Sequence, residues 1–325
     1  MINVLSLFSG IGAFEKALKN IGVEFRIVNY CEIDKYASKV YSMLHNVSEE
    51  LNLNDVTEID TSKLHDIDLI TYGFPCQDIS IAGKQRGFTD NKGNRTRSGL
   101  FFEALRIIED TKPKYAIAEN VKALTSKKFE TEFGIVLDSL EHAGYNNYWQ
   151  VLNAKDYGVP QNRERIFIVS IRKDIDNHEF TFPDKLPLTK TLKDMLEPKV
   201  DEKYYINNER AKNLIEQIKS RYIITDSLPV DGTLLEPKAK EVCNCIAARY
   251  DAGIQNQKSI GCMVVEPNSQ IRKLTPKECF RLMGFSDADF SRVHGISNSQ
   301  LYKQAGNSIV VNVLECIFKQ LFFKE

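Results

Sequence analysis

Through residue 171 the chain alternates short apolar runs with stretches of helical periodicity. Asn3–Phe8 reads as a buried strand and Ala13–Ile21 as a helix. Phe25–Cys31, Asp68–Tyr72 and Tyr115–Ala118 are further strands, with helical Lys35–Leu44 and Leu100–Glu109 between them. Phe133–Ala143 is helical, and Tyr148–Asn153 and Arg165–Ile171 complete the set. Strands separated by helices of about ten residues imply a parallel, helix-covered sheet. In such a sheet ligands sit outside the carboxyl ends of the strands. The residues that follow each strand are therefore the first place to look for chemistry.

The rhythm breaks at Phe182-Pro183-Asp184. Residues 187–270 are polar and irregular, punctuated by Pro187, Pro198, Pro229, Pro237 and Pro267. They read as an inserted smaller domain, with strand-like pieces at Tyr222–Thr225 and Cys262–Val265 and a helix at Asn208–Lys219. The expected division is a catalytic domain over 1–186, the insert over 187–270, and a return segment with a terminal helix over 271–325. In that helix Ile309/Val310, Val313/Leu314, Ile317/Phe318 and Leu321/Phe322 recur every four residues, an apolar stripe for core packing.

Charge and cysteine usage narrow the classes. With 43 Lys and Arg against 44 Asp and Glu the net charge is −1, which argues against a protein that coats nucleic acid nonspecifically. A local basic cleft stays compatible with that sum. Seven cysteines form no CxxC pair and five histidines no ligand spacing, so no metal site is expected. An odd cysteine count without a signal peptide fits a reducing cytoplasm. The apolar stretch 309–323 is interrupted by Asn312, Glu315, Lys319 and Gln320, so no membrane span is expected.

Four strand ends carry reactive or ligand-holding residue types. Phe8-Ser9-Gly10-Ile11-Gly12 follows the first strand and opens a helix, where glycines admit a ligand close to the backbone. It lacks the third glycine of a dinucleotide fingerprint. Glu32, after the second strand, could accept from two ribose hydroxyls or stand as a solvated carboxylate. Asp55 could accept from an exocyclic amine, or form a turn with Asn54. Cys76, in Gly73-Phe74-Pro75-Cys76-Gln77, sits in a poor core environment and is displayed as a nucleophile. Glu119 ends Tyr115–Ala118, where apolar neighbours would favour its protonated form and let it act as an acid. Its structural alternative is a cap on the following helix. Arg165 opens a buried strand, an odd place for a solvent arginine. The segment Ser80–Ser98, rich in glycine and cations, is either a solvated surface loop or a lid that closes on phosphates.

These motifs, with Gln161–Arg165, Arg272–Phe285 and Gln304–Asn312, resemble in order and spacing the DNA (cytosine-5) methyltransferase family, over most of the chain. The resemblance implies an α/β fold: a Rossmann-like class I methyltransferase sheet, mostly parallel with helices on both faces, carrying an inserted target-recognition domain. It implies S-adenosyl-L-methionine as cofactor and S-adenosyl-L-homocysteine as product, held by Phe8, Gly10, Gly12, Glu32, Ile33, Asp55, Val56, Pro75, Leu100, Asn307 and Ser308. Cys76 would add to C6 of a flipped-out cytosine while Glu119 assists at N3. Arg165 would hold the cytosine O2, and Arg163 would support the geometry around Glu119 or make a plain salt bridge.

For DNA, the resemblance points to Ser80, Lys84, Gln85, Arg86, Arg95 and Arg97 in the lid, and Arg249 and Tyr250 in the insert. The expected partner is double-stranded DNA, with a cognate restriction endonuclease acting separately. The expected enzyme is monomeric and cytoplasmic, encoded by a prokaryote or phage. A tRNA substrate is the alternative, although Cys279-Phe280 is followed by Arg281 where that branch has threonine. A catalytically silent binding module ranks last, because Cys76, Glu119 and Arg165 are all present.

Overall fold

The computed structural model describes residues 1–75, 88, 97–231, 238–250 and 262–323, with the backbone alone at 97 and 98. The chain forms two compact units. The first comprises Met1–Leu152, Glu164–Asp184 and Val313–Glu325, the second Asn153–Arg163 and Lys185–Asn312.

The first unit is built on β1 (Ile2–Leu7), α1 (Ala13–Asn20), β2 (Phe25–Cys31), α2 (Lys35–His45), β3 (Leu69–Tyr72), α3 (Phe101–Thr111), β4 (Tyr115–Val121), α4 (Glu130–His142) and β5 (Tyr145–Asn153). Past β6 (Gln161–Asn162) in the second unit, it resumes with β7 (Glu164–Arg172). One six-stranded sheet has the order β2-β1-β3-β4-β7-β5. β2, β1, β3 and β4 pair in parallel. Every residue of β3 is buried, so both faces of the sheet centre are covered. β7 departs from the expected parallel pattern and runs antiparallel to β4. Its approach from β5 contains no α-helix to serve as the crossover a parallel neighbour needs. Leu5, Leu7, Ile70, Tyr72, Phe101, Ala116, Ala118 and Ile168 join one core cluster. The terminal helix α9 (Val311–Phe322) buries Val313, Leu314, Ile317 and Phe318 of the predicted stripe, while Ile309 and Val310 are buried ahead of the helix and Leu321 and Phe322 are half-buried. Phe318 meets Phe14 of α1 edge-on at 6.3 Å between ring centres.

In the second unit α5 (Glu209–Lys219) is capped by Asn208, whose side chain accepts from the Ala211 N–H. It packs Ala211, Leu214 and Ile218 against Val230, Met263, Val265 and Ile271. These residues belong to a small antiparallel sheet of β8 (Leu228–Asp231), β10 (Cys262–Val265) and β11 (Ile271–Lys273), in the order β11-β10-β8. β9 (Cys243–Asn244) pairs in parallel with β6. The strand expected at Tyr222–Thr225 is corrected: the strand lies at Leu228–Asp231, and Ile223 stands 92% exposed. Pro229 is tolerated there because β8 is an edge strand, where a missing N–H leaves one side of the ladder intact.

The unit closes with α6 (Pro276–Leu282), α7 (Asp287–Arg292) and α8 (Asn298–Asn307). Arg272 of β11 is wholly buried and donates to Glu266 at 2.7 Å and to both Glu278 oxygens at 2.9 and 3.1 Å. This network and the β10–β11 ladder bind residues 271–273 to the insert. Compactness accordingly groups 271–312 with 185–270, whereas the sequence division placed them with the catalytic part.

Candidate active site

The glycine loop owes its shape to two positions. Gly10 has φ +56°, and a Cβ there would meet open space. Gly12, at φ +78°, is confined by packing, since a Cβ would lie 2.9 Å from the Tyr41 ring and closer still to His45. Phe8 takes a left-handed backbone as well, at φ +52°. The loop turns back on Glu32. The Gly10 N–H donates to Glu32 Oε2 at 2.8 Å and the Asp34 N–H to Oε1 at 2.8 Å. Glu32 is therefore a fixed acceptor rather than a solvated surface carboxylate, and the Gly10 N–H serves it.

Asp55 caps a short turn, accepting at Oδ1 from the Thr57 N–H at 2.9 Å and the Thr57 hydroxyl at 2.8 Å. Cys31 lies under both carboxylates. Burial, then the charges of Glu32 and Asp55, push its thiol up to about 12. The expected cofactor carboxylates thus share one neighbourhood. Around them Phe8, Val56 and Leu100 belong to one apolar cluster, half-buried Pro75 follows β3, and Ile33 is 75% exposed.

A carboxylate fixed by two backbone N–H groups, beside an exposed apolar side chain and an apolar cluster, fits a nucleoside with vicinal hydroxyls. The sequence reading missed Asn52 here. Its amide joins Glu32 to Asn54, and the Asn-x-Asn-Asp spacing was its one local signal.

At the end of β4 a second constellation forms. Arg165 Nε lies 2.9 Å from Glu119 Oε1, with the side chains 18% and 12% exposed. The ladder causes this pairing, because β7 brings Arg165 opposite Val121 and Phe167 opposite Glu119. The guanidinium gives that carboxylate a charged partner at hydrogen-bond distance. The apolar setting expected from sequence thus contains a cation contributed from the neighbouring strand. Asn120 is buried, and its Nδ2 donates to the Phe74 carbonyl at 3.1 Å. A Cβ on Gly73 would lie 3.6 Å from Glu119 Oε2. The chain that leads into Cys76 is thereby anchored beside Glu119.

The second unit holds the remaining described positions. Arg163 is buried and donates to the carbonyls of Ile246 at 3.0 Å, Gly306 at 3.0 Å and Ser308 at 2.7 Å, and to Cys245 Sγ at 3.2 Å. These bonds make it a clamp on the Gly306–Ser308 segment. Asn307 is exposed and Ser308 buried. Gly306 is required by close approach, since a Cβ would lie 2.3 Å from the backbone of Ala247 and Ala248. Arg249 is exposed, as a DNA contact requires.

The expected DNA contact of Tyr250 is corrected. Its ring is 1% exposed, and its hydroxyl donates to the Cys262 carbonyl and accepts from the Leu274 N–H at 3.1 Å. Cys76, Ser80, Lys84, Gln85, Arg86 and Arg95 lie outside the described residues, as does the Arg97 side chain. Among the described residues no cluster of three metal-ligating side chains occurs, and no helix is long and apolar enough to cross a membrane.

Residues 2–323 match the model of the family described as C-5 cytosine-specific DNA methylase. The chain is 43% identical over 282 residues to the type II methyltransferase M2.ScrFI of Lactococcus lactis subsp. cremoris, covering 85% of this chain and 73% of that protein. It is 32% identical to the orphan methyltransferase M.SPRI of Bacillus phage SPR, covering 98% and 97%. A solved structure of a Spodoptera frugiperda DNMT2 variant has the same fold, with TM-score 0.75 at 21% identity over 99% of this chain and all of that one. With the motif order, the sheet and the match over nearly its whole length, the chain belongs to the C-5 cytosine-specific DNA methylase family.

Proposed function

We propose that Cys76, Glu119 and Arg165 carry the reaction of this family, methyl transfer from S-adenosylmethionine to carbon 5 of cytosine in DNA. One observation carries the assignment: Asn120 ties the Phe74 carbonyl, two residues before Cys76, to the strand that presents Glu119 against Arg165. Bound S-adenosylmethionine supplies an electrophilic methyl group, and Glu32, Asp55, Phe8, Val56 and Leu100 would hold its adenosine half.

The Cys76 thiolate adds to C6 of the ring, its electron pair forming the C–S bond. Glu119 meets the charge that develops at N3 by sharing a proton there. The addition makes C5 nucleophilic, so that C5 would take the methyl group. Loss of the C5 proton to a base and departure of the Cys76 thiolate from C6 then restore the ring and free the enzyme. Arg165 reaches the same edge of the ring, where its guanidinium donates to O2 and holds Glu119 in register. A cytosine in a duplex hides C5 and C6, so the base must leave the stack.

In this reading the insert 187–270 is the target-recognition domain, with Arg249 as its described candidate contact. The enzyme works as a monomer in the cytoplasm of a bacterium or phage-infected cell, alone or beside a separate endonuclease. The test is bisulfite sequencing of plasmid DNA from cells expressing this chain or its Cys76→Ser variant. Methylation confined to one short sequence and lost in the variant is the expected result. Methylation that survives in Cys76→Ser overturns the covalent assignment.

A further inference from the structure

We propose that Asn52 and Arg106 are positioning residues that fix the Asp55 turn relative to the Glu32 carboxylate, and so set the affinity for the adenosine half of the cofactor. The inference rests on the cofactor reading of Glu32 and Asp55 given above. Where β2 ends, the main chain stops pairing with the segment that follows α2. Tyr30 and Asn52 form a lone parallel bridge, and the Leu53 N–H donates to the Tyr30 carbonyl at 2.7 Å. Beyond that point the Asn52 side chain continues the ladder. Its Oδ1 accepts from the Glu32 N–H at 2.9 Å and its Nδ2 donates to the Glu32 carbonyl at 2.9 Å. A primary amide can reproduce a peptide's donor and acceptor together, so it substitutes for a strand residue.

The same amide reaches forward. Its Oδ1 also accepts from the N–H of Asn54, a residue with a left-handed backbone at φ +59°, at 3.0 Å, while its second Nδ2 hydrogen goes to Ser38 Oγ of α2 at 3.0 Å. One side chain thus holds the peptide of Glu32 and the turn residue before Asp55. The far side of the turn is held from α3. Arg106 Nη2 donates to the Val56 carbonyl at 3.3 Å and Nη1 to the Ile59 carbonyl at 3.1 Å, while Glu103 orients its Nε at 3.0 Å. Asp55 lies between the two clamps. Neither clamp needs to touch the ligand; each removes a direction in which the turn could drift. Acceptors held in the bound geometry bind more tightly because less ordering remains to be done.

The test uses the full-length protein, titrated calorimetrically with S-adenosylhomocysteine, beside steady-state methylation of plasmid DNA. Asn52→Ala is expected to raise the Kd and the KM for S-adenosylmethionine about tenfold, the scale of one neutral hydrogen bond lost from the bound geometry. kcat and the KM for DNA stay unchanged, a split that general loss of structure would not produce. Arg106→Ala is expected to act in the same direction, and Arg106→Lys to recover part of the loss by keeping one carbonyl contact. Should Asn52→Ala fail to fold, the Arg106→Ala and Arg106→Lys pair decides the matter. Unchanged affinity in the folded variants, or a fall in kcat at unchanged KM, overturns the proposal. Glu32→Ala separates the two layers. If it too leaves affinity unchanged, the cofactor reading falls; if it weakens binding while the clamp variants do not, only the positioning role falls.

Discussion

Glu32 follows β2 and Glu119 lies near the end of β4 in one sheet, and the bonds described above hold them through different kinds of donor. Two backbone N–H groups grip Glu32, from Gly10 and Asp34. A side chain, Arg165, holds Glu119. Main-chain donors are part of the fold and cannot rotate away, which suits a carboxylate that must present acceptors at constant positions. A guanidinium can turn and share its donors with an incoming ring, which suits a carboxylate that exchanges a proton. Under the roles proposed above, the contrast separates the binding carboxylate from the reacting one by the kind of donor that holds each.

The sharpest way to break the comparison is at Glu119. Glu119→Gln should lower kcat by about a hundredfold, the lower range for removing a positioned acid or base, with DNA affinity nearly unchanged. Loss of DNA binding at undiminished kcat would make Glu119 a structural residue like any other.

A smaller effect is expected at the other end. In Glu32→Gln the amide nitrogen faces one of the two N–H donors, which loses its acceptor. The Kd for S-adenosylhomocysteine should rise about tenfold, with kcat preserved at saturating cofactor. A drop in kcat there would erase the distinction.

The smallest effect is chemical and pH-dependent. The Cys31 thiol, raised from 9.0 to about 12, stays protonated at neutral pH. Since the folded value is the higher one, the thiol's contribution to stability is complete below pH 9 and is lost as the pH climbs toward 12. Iodoacetamide at pH 8 should leave Cys31 unlabelled in the native protein and label it after unfolding, as read by peptide mass mapping. Glu32→Gln removes one of the two charges and should speed the native reaction slightly.

Much of the molecule is legible in its sequence where it depends on local pattern. The alternation of apolar runs places β1 to β4, the glycines mark the loop after β1, and the strand ends point to Glu32 and Glu119. What escapes depends on partners far away along the chain. Arg163 reads as one of two cations in Gln161–Arg165, and only the fold brings it to Ile246, Gly306 and Ser308. The charge beside Glu119 arrives through the reversed strand β7, whose direction no periodicity encodes. Tyr222–Thr225 has the composition of a strand, yet the edge of β10 selects Leu228–Asp231 instead. Tyr250 looks like a surface aromatic until Cys262 and Leu274 claim its hydroxyl.

That last contact makes one phenol hydroxyl a splice between three stretches of the chain, those of Tyr250, Cys262 and Leu274. A phenylalanine in its place would keep the buried ring and withdraw the splice, so the loss would be that of buried hydrogen bonds alone, about 1–3 kcal/mol.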